Sequence, residues 1–172
     1  MEKRANAVKF KGEPKTLVGP QLKAGDKAPD FAVLNGLEIV HLGQTPAKAR
    51  LFSVVPSLDT GVCSAQTKKF DEQIGSLKDK LAAYTISLDL PFAQKRFCTA
   101  ENITNMQTLS DVHNHSFGQN YGVLIEGLPL PLLARAVFVV DKGGKITYAE
   151  YVSEVTSHPN YAAAMAAVKA AV

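Results

Sequence analysis

The sequence predicts an α/β fold in which a mixed central β-sheet is flanked by helices, and three observations predict it. Short apolar runs stopped by proline or glycine alternate with stretches of helical periodicity, in the order β-α-β-α and then β-β-α. The two strongest runs, Arg50–Pro56 and Ala83–Leu88, are apolar almost throughout rather than alternating, as strands covered on both faces are. No repeat, low-complexity tract or linker divides the 172 residues. One domain over 1–172 is the expectation, long enough to bury roughly 70% of its unfolded surface without a metal or disulfide staple.

Along the chain, residues 1–6 show no periodicity and are expected to be flexible. Val8–Val18 reads as a β-hairpin turning at Gly12-Glu13-Pro14. After a turn at Gly25–Pro29 come a short strand around Phe31–Leu34 and a second alternating stretch with Leu37, Ile39 and Leu42. Beyond the buried run at Arg50–Pro56 the pattern changes. Asp59 or Thr60 can cap a helix whose apolar stripe is Cys63, Phe70, Ile74, Leu77 and Leu81, with Gly75 weakening its second half. Pro91 suits a first helical position, and Phe92–Cys98 follows as a short helix. Gln107–Leu109 reads as a strand and Ser116–Tyr121 as a helical turn. Ala134–Val140 and Lys145–Val152 form a hairpin across Lys142-Gly143-Gly144, and Pro159–Val172 is an alanine-rich closing helix.

Composition excludes several classes. The chain is 46% hydrophobic and 20% charged, ordinary for a globular protein. Nineteen Lys plus Arg against sixteen Asp plus Glu leave a net charge of +3, too weak and scattered to imply a nucleic-acid or membrane partner. No apolar stretch approaches the ~20 residues of a membrane span. Met1–Lys15 is basic and polar and is not read as a secretory signal, so a reducing cytoplasm is the expected compartment. Two cysteines are too few for a disulfide framework and are either redox-active or small buried hydrophobes.

The local contexts carry the chemistry. Cys63 falls in the first turn of a helix that follows a buried strand, where orphan N–H groups and the helix dipole favour thiolate, the reactive form. A core cysteine that happens to begin a helix is the plainer reading. Arg135 stands at the mouth of the most apolar strand in the chain. A guanidinium keeps its proton, so burial demands an anion from elsewhere in the fold: a thiolate, a substrate oxygen, or a structural carboxylate. Thr60 occupies the place that the first cysteine of a C-x-x-C dithiol would take, so a hydroxyl stands beside the sulfur or simply caps the helix. Cys98, 35 positions after Cys63, is at the far end of its helix and has no electrostatic activation. That asymmetry fits a second thiol waiting to trap an oxidised first one. His113-x-His115 lacks the spacing of a metal site, and no cofactor-binding motif is present.

Pro56-Ser57-Leu58-Asp59-Thr60-Gly61-Val62-Cys63 resembles the peroxiredoxin signature P-x-x-x-T-x-x-C, and its fuller form S-x-D-T-G-V-C resembles the bacterial thiol peroxidase subfamily. Asp89–Cys98, Ala134-Arg135-Ala136-Val137, the Phe10-Lys11-Gly12 hairpin and Gly25–Phe31 match the same subfamily, so the resemblance spans roughly residues 8–171. It implies a thioredoxin-like fold with an N-terminal β-hairpin extension. It implies that Cys63 is the peroxidatic cysteine and Cys98 the resolving cysteine of the same chain. Thr60 and Arg135 would complete the peroxide pocket, Pro56 would shield the sulfur, and the N–H groups near Val62 would help orient the two oxygens. Thioredoxin as reductant and a homodimeric assembly are further implications. A thioredoxin-type disulfide oxidoreductase and a non-enzymatic redox sensor are the alternatives. Thr60 in place of a first cysteine counts against the former, and the lack of a partner-binding helix or tail against the latter.

Overall fold

The computed structural model describes residues 1–172. Eleven strands and four α-helices make up the chain: β1 (Lys3–Phe10), β2 (Glu13–Val18), β3 (Ala32–Asn35), β4 (Glu38–His41), β5 (Ala49–Val54), α1 (Gly61–Gln73), β6 (Leu81–Ser87), α2 (Pro91–Ala100), β7 (Gln107–Ser110), α3 (Ser116–Asn120), β8 (Leu124–Glu126), β9 (Leu132–Leu133), β10 (Ala136–Val140), β11 (Ile146–Tyr151) and α4 (Tyr161–Ala171). Seven strands form a mixed sheet in the order β11-β10-β5-β6-β7-β3-β4, in which β5-β6 and β6-β7 are parallel and the other neighbours antiparallel. A second sheet, β1-β2-β8-β9, carries the N-terminal hairpin.

The all-apolar look of the central strands has the anticipated cause. Every residue of β5, β6 and β10 is buried. Ala49 and Leu51 of β5, with Val137 and Val139 of β10, pack against Phe70 and Ile74 at the end of α1 and Ala164, Met165 and Val168 of α4. The alternate residues Phe52, Val54, Ala136 and Phe138 face the other way, into a core shared with Val8, Leu17, Phe117, Tyr121 and Leu133. There Phe117 stacks on Tyr121 with ring centroids 4.1 Å apart, and Phe52 meets both rings edge-on. One face of the main sheet is thus covered by helices and the other by the small sheet and α3.

Three expectations are corrected, and two strands go unforeseen. Residues 1–6 include the start of β1, where Arg4 donates to the carbonyls of Gly19 and Gly122. Those glycines approach so closely that a Cβ on either would collide with backbone. The hairpin turns at Lys11-Gly12, both with positive φ, whereas Pro14 already belongs to β2 opposite Lys9. The stripe after Cys63 does not run to Leu81. α1 ends at Gln73, Gly75–Leu77 is a single 3-10 turn, and Leu81 opens β6, its spacing from Leu77 being coincidental. The short strands β8 and β9 escape notice in the sequence because each is completed only by its neighbours in space.

Candidate active site

The site lies where β5 gives way to α1, at the carboxyl ends of the parallel strands, the edge at which open α/β sheets gather their reactive groups. Between them runs the loop Val55–Thr60, held in place by a residue the sequence analysis did not single out. The Asp89 carboxylate accepts from Ser57 Oγ at 2.8 Å, from the Leu58 N–H at 2.8 Å and from Ser87 Oγ at 2.7 Å. Ser110 Oγ donates to the Asp89 carbonyl at 2.6 Å. One side chain therefore fastens the loop before Cys63 to the segment that enters α2.

Cys63 is the third residue of α1 and is fully buried, in a small cluster with Val55 and Leu58 against which Phe97 of α2 packs. The first N–H of this turn with a backbone acceptor is that of Ser64, which donates to the Thr60 carbonyl at 3.0 Å. Those of Gly61, Val62 and Cys63 thus remain as orphan donors. Thr60 holds the extended N-cap conformation, but its hydroxyl does not cap the helix. It donates to the Ser57 carbonyl at 3.0 Å, which leaves the oxygen lone pairs as acceptors. Pro56 is buried within the Val55–Thr60 loop, and Val62 is half-buried in the first turn of α1.

Arg135 reaches this sulfur from across the sheet. It is 2% exposed and forms no ion pair with any carboxylate. Its Nη2 lies 3.4 Å from Cys63 Sγ, its Nη1 donates to Gln66 Oε1 at 2.9 Å, and its Nε donates to the Val155 carbonyl at 2.8 Å. Gln66, fully buried one turn after Cys63, donates in turn to Ser53 Oγ of β5 at 2.7 Å. The guanidinium is held at three points by neutral groups and the sulfur. Its charge is left uncancelled unless that sulfur is anionic. Gln66 and Ser53 were missed in the sequence because a buried Gln has no local signature. Only its place three residues after Cys63, on the same side of the helix, hints at a shared role.

Cys98 is not brought to Cys63. It lies half-buried in the last turn of α2, in a cavity of about 630 Å³ lined also by Phe92, Lys95, Met106 and Thr108, and both thiols are free. Burial pushes its thiol up from the ordinary value; a hydrogen bond from Thr108 partly opposes this, and the Asp71 carboxylate adds to it. Phe52 of β5 and Leu132 of β9, apolar residues that the sequence offers as a wall for an alkyl chain as readily as for the core, are core: Phe52 belongs to the aromatic cluster. Phe92 is two-thirds exposed beside Cys98, and Leu132 packs against the core from β9.

With the geometry in place, comparison with known proteins defines the class. The chain matches the Redoxin family over residues 23–165. It is 54% identical over 166 residues to a thiol peroxidase of Halalkalibacterium halodurans, covering 96% of this chain and 98% of that one. A thiol peroxidase of Bacillus subtilis gives the same figures, and one from Staphylococcus aureus is 52% identical over 163 residues, covering 94% and 97%. Among solved structures, a peroxiredoxin-like protein from Aquifex aeolicus superposes with a TM-score of 0.90 at 44% identity, over 98% of both chains. A thiol peroxidase from Chromobacterium violaceum, at 20% identity and a TM-score of 0.85 over 95% of both chains, shares the fold. The chain belongs to the Redoxin family, and within it to the peroxiredoxin-type thiol peroxidases.

Proposed function

We propose that Cys63 is the peroxidatic residue of this thiol peroxidase and Cys98 its resolving residue. The observation that carries the reading is the buried Arg135 guanidinium, without a carboxylate, 3.4 Å from the Cys63 sulfur. A thiolate there attacks the terminal oxygen of a hydroperoxide in line with the O–O bond. The S–O bond forms, the O–O bond breaks, and the leaving oxygen takes a proton from solvent to depart as water or an alcohol. Cys63 becomes sulfenic acid. The second face of the Arg135 fork and the orphan N–H groups of Val62 and Cys63 stabilise charge on the two oxygens, while Thr60 Oγ accepts the hydroperoxide hydrogen. Pro56 keeps bulk water from the sulfur.

Resolution needs the two sulfurs to meet. A disulfide requires Cα atoms within about 7 Å, yet Phe97 sits on the Cys63 cluster while its neighbour Cys98 faces a separate cavity. The last turn of α2 therefore unwinds, Phe97 leaves, and the Cys98 thiol condenses with the sulfenic acid, releasing water. An external dithiol then reduces the disulfide by two exchange steps, and thioredoxin is the reductant we assign. We assign the protein to the reducing cytoplasm, acting without a cofactor as one domain over 1–172. No helix is long and apolar enough to cross a membrane. A homodimer is the assembly we assign.

The test is NADPH consumption coupled through thioredoxin and its reductase. Cys63→Ser abolishes turnover, and Cys98→Ser consumes one equivalent of peroxide and then stops. Sustained thioredoxin-linked turnover by Cys63→Ser would overturn the assignment.

A further inference from the structure

Away from the sulfur, near the opposite end of β5, stands a second buried arginine. Arg50 is 6% exposed, and no carboxylate lies within ion-pairing distance of it. Its Nε donates to Thr45 Oγ1 at 2.8 Å and its Nη1 to the Asp141 carbonyl at 3.3 Å, while Nη2 has no acceptor in the protein. No side-chain polar atom is both sealed from solvent and unpartnered, so Nη2 opens onto the cleft that Arg50 helps to line. That cleft has a volume of about 700 Å³, and Lys27, His41, Lys142 and the Gly143-Gly144 turn contribute to its walls.

The charges there do not cancel. Lys27 and Lys142 are exposed and form no ion pair. The one carboxylate on the wall, Asp30, is already engaged by the Leu42 N–H at 2.9 Å and His41 Nδ1 at 3.2 Å. Asp141 turns its carboxylate toward the N–H groups of Gly143 and Lys145 and offers Arg50 only its carbonyl. A buried guanidinium with a free N–H edge, flanked by two exposed, unpaired ammonium groups, is the donor set that recognises a tetrahedral oxyanion.

We infer that this cleft binds a doubly charged oxyanion, either free phosphate or the phosphoryl group of a small phosphorylated compound. Arg50 is the buried anchor, and Lys27 and Lys142 close over the bound group. The cleft is larger than one phosphate, which leaves room for the organic part of a monoester against Pro29 and Leu42. The site is independent of Cys63 and stands or falls without reference to the peroxidase reaction.

Calorimetric titration and thermal melting of the reduced full chain test it, using potassium phosphate, glycerol phosphate and potassium chloride at one ionic strength. At ten times Kd, phosphate raises Tm by about 4 °C over chloride. Tighter binding of the monoester identifies a phosphorylated compound as the ligand, and equal or weaker binding identifies free phosphate. The double variant Lys27→Met with Lys142→Met alters only exposed side chains. It loses at least tenfold in affinity while its peroxidase rate is unchanged. Chloride matching phosphate, or the double variant keeping full affinity, would overturn the site.

Discussion

The two cysteines of this chain sit in opposite electrostatic settings. Cys63 opens a helix, among orphan N–H groups at the positive end of the dipole, and faces a buried guanidinium. Cys98 closes a helix, at the negative end, and feels the Asp71 carboxylate. Cys63 is sealed and Cys98 opens into a cavity. The difference teaches that the charges arranged around the two sulfurs set them apart more sharply than exposure does. The proposed nucleophile is the buried one.

That contrast can be broken at four points. The largest effect is expected for Arg135→Met, which removes the only buried cation at the sulfur. The second-order rate of Cys63 oxidation by hydrogen peroxide should fall about 10²–10³-fold, read by stopped flow. An unchanged rate would reduce Arg135 to a packing residue. Gln66→Glu comes next, because it would give Arg135 a carboxylate to pair with and withdraw its charge from the sulfur. The rate at neutral pH should drop about tenfold, whereas Gln66→Met, which brings no carboxylate, should cost less.

Asp89→Asn weakens the tether between the loop before Cys63 and the start of α2. Lost charge-assisted hydrogen bonds should cost about 1–3 kcal/mol, seen as a lower Tm, with a smaller loss of rate. The mildest test concerns Cys98 itself. In Cys63→Ser, its alkylation by iodoacetamide should still be climbing at pH 9, since burial holds the thiol above that ordinary value. A plateau near neutral pH would erase the contrast.

Much of this architecture was written in local pattern. Arg50–Pro56 and Ala83–Leu88 betray buried strands through unbroken apolar runs, and Pro91 marks the first residue of α2. Thr60, Cys63 and Arg135 stand out because each residue type is costly or reactive where the pattern puts it. What stayed hidden depends on distant partners. Asp89 is an ordinary loop acid until Ser57 and Leu58, about thirty positions away, fold onto it. Gln66 acquires meaning only when a residue from β10's entrance reaches it. Strands of two or three residues, such as β8 and β9, carry no period at all. The end of α1 was obscured because Leu77 and Leu81 continued the spacing by chance.

In the proposed reaction Phe97 also sets a clock. While its ring rests on the cluster around position 63, a newly oxidised sulfur is out of reach of its trap, and only further oxidant can find it. Under the proposed pairing of Cys63 with Cys98, the dwell time of that ring sets the dose of peroxide at which the sulfenic acid goes on to sulfinate. A smaller side chain at position 97 would shorten the wait and yield a catalyst that survives harsher oxidant bursts, at some loss of packing around Cys63.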